Sequence, residues 1–299
     1  MDLLDKKLIV IVGPTAVGKT GFAIKVAKHF KTEVISADSR QIFRELNIGT
    51  AKPTRSELEM VRHHFINSHS ISEPFDAARF GAEALILIED LFKKHDHVIF
   101  CGGSGLYVKA VCEGFDEIPR IAPEIREGLV VDYETNGIEA LQSKMKQLDP
   151  DHFDNIDSKN PQRLIRALEV VLSTGKSITS FHSGNAIGRN FSIVKFGLTL
   201  PREILFKRID ERMDAMIADG LFDEAHRLYP FRDHNALQTV GYQEIFDFMD
   251  GNYGKEEAIR LLKRNSRRYA KRQLTWFRRD PEIVWMNPAN IEPLIEACR

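Results

Sequence analysis

Eight residues near the N-terminus, Gly13-Pro14-Thr15-Ala16-Val17-Gly18-Lys19-Thr20, restrict the possible folds more than anything else in the chain. They fit G-x-x-x-x-G-K-[ST], a phosphate-cradling loop whose proper place is between a buried strand and a helix. Both neighbours are present. Leu8-Ile9-Val10-Ile11-Val12 is an unbroken apolar run rich in β-branched residues, the mark of a strand covered on both faces. Phe22, Ile24, Val26, Ala27 and Phe30 then recur at roughly helical spacing. The glycines let the backbone from Gly13 through Thr15, Ala16, Val17 and Gly18 curl, so that its N–H groups converge on phosphate oxygens at a positive helix end. Lys19 adds a point charge, and the Thr20 hydroxyl is placed to ligate Mg²⁺. The competing reading is a glycine turn that binds nothing, and the agreement of motif with context counts against it.

A strand and a helix on either side of such a loop imply more of the same. Strands are expected at 34–38 and 98–101, with helices at 77–94 and 106–112. From Gly114 to about Arg189 no strong strand occurs, and turns are expected at Ile118-Pro119, Asp149-Pro150, Asn160-Pro161 and Ser183-Gly184-Asn185. A strand over 191–200 resumes the earlier pattern. Helices at 202–218, 221–229, 236–250 and 255–279 follow, then a short strand at 283–286. The expected fold is α/β, a P-loop NTPase-like parallel sheet flanked by helices with an inserted, mostly helical domain. The core comprises residues 1–113 and 192–299, and the insertion residues 114–191.

Composition then excludes several classes. The chain has 299 residues, 43% hydrophobic, with 42 Lys+Arg against 43 Asp+Glu and a net charge of -1, which is not the make-up of a disordered protein. No apolar run reaches the ~20 residues of a membrane-crossing helix, and the start does not read as a secretion signal. Three separated cysteines, Cys101, Cys112 and Cys298, offer neither a disulfide framework nor a zinc site. A cytoplasmic monomer without membrane contact is the default. Charge is unevenly placed, however. Residues 260–279 read RLLKRNSRRYAKRQLTWFRR, nine Lys/Arg with no acid. That segment is either a polyanion contact or a solvated basic face whose apolar side is in the core. The absence of acids within it counts against ordinary surface salt bridges.

A hydrolytic P-loop protein usually carries an Asp at the end of a second strand to help hold Mg²⁺. Here the strand at 98–101 ends in Gly102-Gly103-Ser104-Gly105, with no acid. The acid at a strand end nearest the loop is Asp38, followed by Ser39-Arg40-Gln41. Carboxyl ends of parallel strands line the ligand crevice, so Asp38, Ser104 and the loop can share one pocket. Equally, Asp38 can be a helix N-cap. His63-His64 is read as structural, since adjacent side chains on a helix do not face one metal.

Five segments in this order, GPTAVGKT (13–20), DSRQIF (38–43), GGSGLY (102–107), PQRLIRALEV (161–170) and KRQLTWFRR (271–279), resemble the tRNA dimethylallyltransferases, also called tRNA isopentenyltransferases. VGYQE (240–244) and APEIR (122–126) match more loosely. The likeness spans nearly the whole chain and is to bacterial-type members without a C-terminal zinc finger. It implies transfer of a dimethylallyl group from dimethylallyl diphosphate, with Mg²⁺, to N6 of adenosine 37 beside the tRNA anticodon. By family position Asp38 accepts a proton or a hydrogen bond from the adenine amine, and Ser104 stands where the family usually has Thr. The loop residues, with Arg212, hold the diphosphate. The tRNA anticodon stem-loop is contacted by Asp38, Ser39, Arg40, Gln41 and Ser104, and by Gly241 and Tyr242. In the insertion the implied contacts are Arg126, Gln162, Arg163, Leu164, Ile165 and Arg166. In the basic segment they are Arg267, Arg268, Lys271, Arg272, Gln273 and Trp276. Arg40 and Gln243 depart from the family pattern, which unsettles details of RNA contact more than the reaction. A small-molecule kinase is one alternative, and an RNA-binding nucleotide switch another. GGSGLY and KRQLTWFRR count against the first, and the missing strand-end Asp against the second.

Overall fold

The computed structural model describes residues 5–116, 118–181 and 188–299. The turn expected at Ser183-Gly184-Asn185 lies outside them. The chain divides into two compact units, one of Met1–Glu113 with Gly188–Arg299 and one of Gly114–Ile187.

In chain order the elements are β1 (Lys7–Val12), α1 (Lys19–Phe30), β2 (Val34–Ala37), α2 (Arg55–Met60), β3 (His63–His64), α3 (Ala77–Phe92), β4 (His97–Gly102) and α4 (Gly105–Cys112). The second unit holds α5 (Pro123–Leu148), α6 (Pro150–Phe153) and α7 (Pro161–Thr174). The first unit then resumes with β5 (Ser192–Leu198), α8 (Arg202–Ala218), α9 (Leu221–Leu228), α10 (Gln243–Met249), α11 (Lys255–Phe277), β6 (Val284–Met286) and α12 (Glu292–Cys298).

The strands form one six-stranded sheet in the order β3-β2-β4-β1-β5-β6, with every pairing parallel. β1 lies between β4 and β5, with Leu8 opposite both Val98 and Ile193. Its side chains alternate between two cores: Leu8, Val10 and Val12 join one cluster, Ile9 and Ile11 the other. That placement explains the unbroken apolar run, because a strand with helices over both faces has no solvated side. Parallel strands aim their carboxyl ends at one edge. Gly13 follows β1 there, Asp38 follows β2, and Gly103-Ser104 follow β4. The edge strand β3 is too short to show in the sequence pattern.

One expected helix, over 236–250, forms only in its second half. Gly241 has φ +107, a left-handed conformation that stops helical propagation, so α10 begins at Gln243 after a 3₁₀ turn at Asn235–Leu237. In the second unit α5 and α7 pack through Leu129, Leu141, Met145, Leu164 and Leu168. Asn160 caps α7 by accepting from the Arg163 N–H, with Pro161 in the first turn.

Candidate active site

The loop between β1 and α1 is curled but bound to itself. Gly13 (φ +146) and Gly18 (φ +105) occupy backbone conformations that side chains rarely adopt. At Gly13 a Cβ would also stand 2.7 Å from the Leu198 carbonyl, so β5 closes against the loop. Lys19 Nζ donates to the Gly13 carbonyl at 2.9 Å and the Pro14 carbonyl at 2.8 Å. Burial pushes its ammonium down to about 8, opposed by Cys101 and Asp38 and assisted by Arg212. The Thr15 amide donates to Gln273 Oε1 at 2.8 Å, and Arg212 Nη2 donates to the Thr15 hydroxyl. Burial also lowers the Arg212 pKa, with Asp38 opposing. A concave, cation-rich loop is thereby set at the positive end of α1.

Asp38 is both a local cap and a cavity residue. Its Oδ1 accepts from the amides of Arg40 at 2.9 Å and Gln41 at 3.2 Å, which caps a turn rather than a helix. The carboxylate also lines two cavities. One, of about 40 Å³, is walled by Lys19, Thr20, Ser36, Gln41 and His63. The other, of about 80 Å³, is walled by Thr15, Arg40, Arg212, Gly241 and Tyr269. Ser104 joins this group through its Oγ, which accepts from the Ser39 amide at 2.8 Å. Its own amide donates to the Ala37 carbonyl at 3.2 Å, tying the ends of β2 and β4 together. Burial lowers the Arg40 pKa, and its Nε lies buried without a partner.

His63 was expected to be structural, and in part it is. Its Nδ1 donates to the Val61 carbonyl at 2.8 Å, which leaves the lone pair on Nε2. That Nε2 is buried with no partner, while the ring lines the smaller cavity beside Thr20 and Asp38. Burial lowers its pKa, which favours the neutral ring. The His63-His64 pair forms the short strand β3 and not a helix, and its spacing gives no signal for this placement of His63. Among the described residues no cluster of three or more His, Cys, Asp or Glu could hold a metal.

The walls of the larger cavity depend on a second acid that sequence reasoning missed. Glu224 on α9 is buried, and its Oε2 accepts from the amides of Asn47 at 3.1 Å and Ile48 at 2.9 Å. Its Oε1 accepts from the Gly49 amide at 2.9 Å and the Tyr242 hydroxyl at 2.7 Å. Gly49, held this way, borders the cavity, as does Gly241, whose amide donates to the buried Glu244 Oε2 at 2.8 Å. The partners of Glu224 lie up to 177 positions from it, so no local motif betrays them.

The expected RNA contacts divide by exposure. Arg268, Lys271, Arg272 and Trp276 are exposed on α11, Trp276 at 38%. Arg267 is not free, because its Nη1 donates to Asp210 on α8 at 2.5 Å. Lys263 likewise pairs with Asp214 at 2.6 Å and Arg260 with Glu257 at 2.6 Å. The segment without acids therefore makes salt bridges after all, with acids supplied by a neighbouring helix and by its own first turn. Gln273 and Tyr242 are buried and spend their polar atoms on protein partners, which removes the side-chain contacts expected of them. Leu164 and Ile165 face the core of the second unit for the same reason that makes α7 amphipathic. Ser39, Arg40 and Gln41 are half-buried in the Asp38 turn.

Within the second unit, Gln162, Arg163 and Arg166 are exposed. Glu169, 3% exposed, binds Arg126 Nη1 at 2.9 Å through Oε2 and Arg166 Nη1 at 2.5 Å through Oε1. Arg126 Nη2 donates in turn to Gln162 Oε1 at 3.1 Å. One buried carboxylate thus arrays two guanidinium groups at the surface of this unit, which suits an anionic partner.

The chain matches the family model for IPP transferase over residues 41–280. It is 53% identical over 291 residues to a tRNA dimethylallyltransferase of Cytophaga hutchinsonii, covering 97% of this chain and 96% of the relative. Among solved structures, the tRNA isopentenylpyrophosphate transferase of Bacillus halodurans aligns with a TM-score of 0.70 and 41% identity, over 98% of this chain and 94% of that one. A eukaryotic dimethylallyltransferase acting on tRNA aligns with a TM-score of 0.79 and 27% identity, over 96% and 75%. Among the described residues no helix is long and apolar enough to cross a membrane.

Proposed function

The chain belongs to the IPP transferase family and is a prenyl-group transferase acting on tRNA; from this premise we propose that it takes the dimethylallyl group from dimethylallyl diphosphate and places it on N6 of adenosine 37. The observation that carries this reading is the position of Asp38, which borders one cavity with Lys19 and Thr20 and another with Thr15, Arg212 and Gly241. A base there stands between a diphosphate and an incoming adenine. The adenine leaves its stack, which costs least in a single-stranded loop. Its N6 lone pair forms a bond to C1 of the prenyl group as the C1–O bond breaks. The bonding electrons leave on the diphosphate, and the surplus N6 proton passes to the Asp38 carboxylate. No water is consumed, which agrees with a strand-end GGSG in place of an acid.

Lys19, Arg212 and the loop amides meet the charge that grows on the departing oxygen, an electrostatic contribution usually worth several kcal/mol. The Ser104 hydroxyl accepts from the Ser39 amide and keeps its own hydrogen to donate to that oxygen. A magnesium ion carried with the diphosphate would supply further positive charge; the Thr20 hydroxyl and the unpartnered His63 Nε2 in the same cavity fit a hydrated cation. The exposed cations of α11 and the Arg126–Arg166 pair suit the phosphates of an anticodon stem-loop. The free, buried cysteines agree with a reducing cytoplasm.

Asp38→Asn keeps an oxygen to cap the turn but removes the base. Transfer is expected to fall by about 10²–10⁴ with tRNA affinity nearly unchanged, read by labelled-prenyl incorporation beside filter binding. Activity within about threefold of the native enzyme would remove Asp38 from its role.

A further inference from the structure

Gln273 lies in a basic segment whose exposed members suit RNA, yet its side chain points the other way. It is 6% exposed, on the buried stripe of α11 with Ala258, Leu262, Ser266, Ala270 and Phe277. Both ends of its carboxamide are engaged. Oε1 accepts from the Thr15 amide at 2.8 Å, and Nε2 donates to the Gly103 carbonyl at 3.0 Å. Thr15 is on the entering limb of the phosphate loop, and Gly103 immediately precedes Ser104. No other side chain in the described residues bonds to both segments. The fit is close, since a Cβ on Gly103 would stand 2.3 Å from Gln273 Nε2.

The chemistry of the pair of bonds is informative. A carboxamide accepts from one backbone amide and donates to one carbonyl through two different atoms held a fixed distance apart in one plane. A carboxylate would repel the Gly103 oxygen, and an apolar chain would leave two buried backbone groups unpaired. Gln273 occupies the Thr15 amide, whereas the amides of Ala16 and Gly18 make no hydrogen bond to the described residues. The strut therefore fixes one limb of the loop and leaves the amides beyond it available.

We propose that Gln273 is a positioning residue for the prenyl diphosphate: its carboxamide sets the separation between the phosphate loop and the Gly103-Ser104 turn, so it serves the leaving group and not the RNA. This rests on the reading of residues 13–20 as a diphosphate cradle. It places a diphosphate determinant on the same helix as the exposed cations Arg268, Lys271 and Arg272.

The test separates the two ligands. Full-length protein is titrated with magnesium pyrophosphate alone, and separately with an anticodon stem-loop RNA. Gln273→Leu conserves bulk and removes both bonds. Gly103→Ala reaches the same end from the other side, by displacing the carboxamide, should Leu at 273 prevent folding. Each variant is expected to weaken pyrophosphate binding about tenfold or more, with RNA affinity within about twofold, since one lost buried hydrogen bond corresponds to roughly a factor of ten. In turnover, KM for dimethylallyl diphosphate should rise while KM for tRNA holds. RNA binding lost with pyrophosphate binding intact would make Gln273 an RNA contact and overturn the proposal. So would both affinities unchanged, or both reduced together with the melting temperature, which marks a merely structural residue. If the native protein itself fails to bind pyrophosphate, the cradle reading falls, whereas native binding equalled by both variants sinks the strut alone.

Discussion

Single side chains here gain meaning from what they spend their polar atoms on. Asp38 gives one oxygen to a turn, not to the helix the cap reading expected, and lines two cavities as well. Lys19 rests on two loop carbonyls with its pKa lowered by burial to about 8, a shift that the negative charge of the proposed diphosphate would oppose. Glu224 is committed in full, to three consecutive backbone amides and a tyrosine hydroxyl. Charged hydrogen bonds of this kind are short-range but costly to orphan. Glu224→Ala is expected to lower unfolding free energy by about 3 kcal/mol, and Tyr242→Phe by about 1 kcal/mol, read from denaturant midpoints. A loss under 1 kcal/mol at Glu224 would show that water replaces the carboxylate and that the 47–49 turn stands without it. No stretch of sequence near Asn47 points to position 224, so this part of the site was illegible in advance, while the phosphate loop, a contiguous motif, was plain.

At the scale of elements, legibility followed length and periodicity. β1 and the helices over 202–218 and 255–277 matched their expected positions closely, because a fully apolar strand and long amphipathic stretches each carry a strong pattern. The 236–250 helix did not form whole, since one glycine in a left-handed conformation outweighs a periodic pattern. Along residues 260–279 composition misled. Nine cations without an acid argue against surface salt bridges, yet α8 runs alongside and brings Asp210 and Asp214, and the first turn of α11 brings Glu257. With Arg278 and Arg279 exposed just beyond α11, the exposed cations of 260–277 that no acid among the described residues pairs are Arg268, Lys271 and Arg272, toward its C-terminal end. Two consequences can be separated experimentally. Replacing those three with alanine is expected to flatten the plot of log affinity for tRNA against log salt by about 0.7–0.9 for each that meets a phosphate. Arg267→Ala removes a half-exposed ion pair instead, and is expected to cost under about 1 kcal/mol of stability with the salt slope nearly unchanged. A slope that moves with Arg267 and not with the other three would place the RNA contact beside α8 instead.

For the molecule as a whole, a parallel sheet supplies the logic. Its carboxyl edge gathers the loop after β1, the acid after β2 and the hydroxyl after β4, from positions 13 to 104, on one side of one unit. Topology of this kind was readable from strand–helix alternation, and family likeness added the reaction. Side-chain wiring between distant segments, Gln273 to Thr15 and Glu224 to Asn47, was readable from neither. The central claim is that residues 13–20 hold a diphosphate that departs. Purified protein incubated with dimethylallyl diphosphate, Mg²⁺ and a tRNA carrying adenosine 37 allows both products to be counted, by mass spectrometry of the digested RNA and by pyrophosphate assay. One C5 unit on N6 of that adenosine for each pyrophosphate released is the expected result; phosphate joined to the RNA, or orthophosphate released without prenylated RNA, would contradict it.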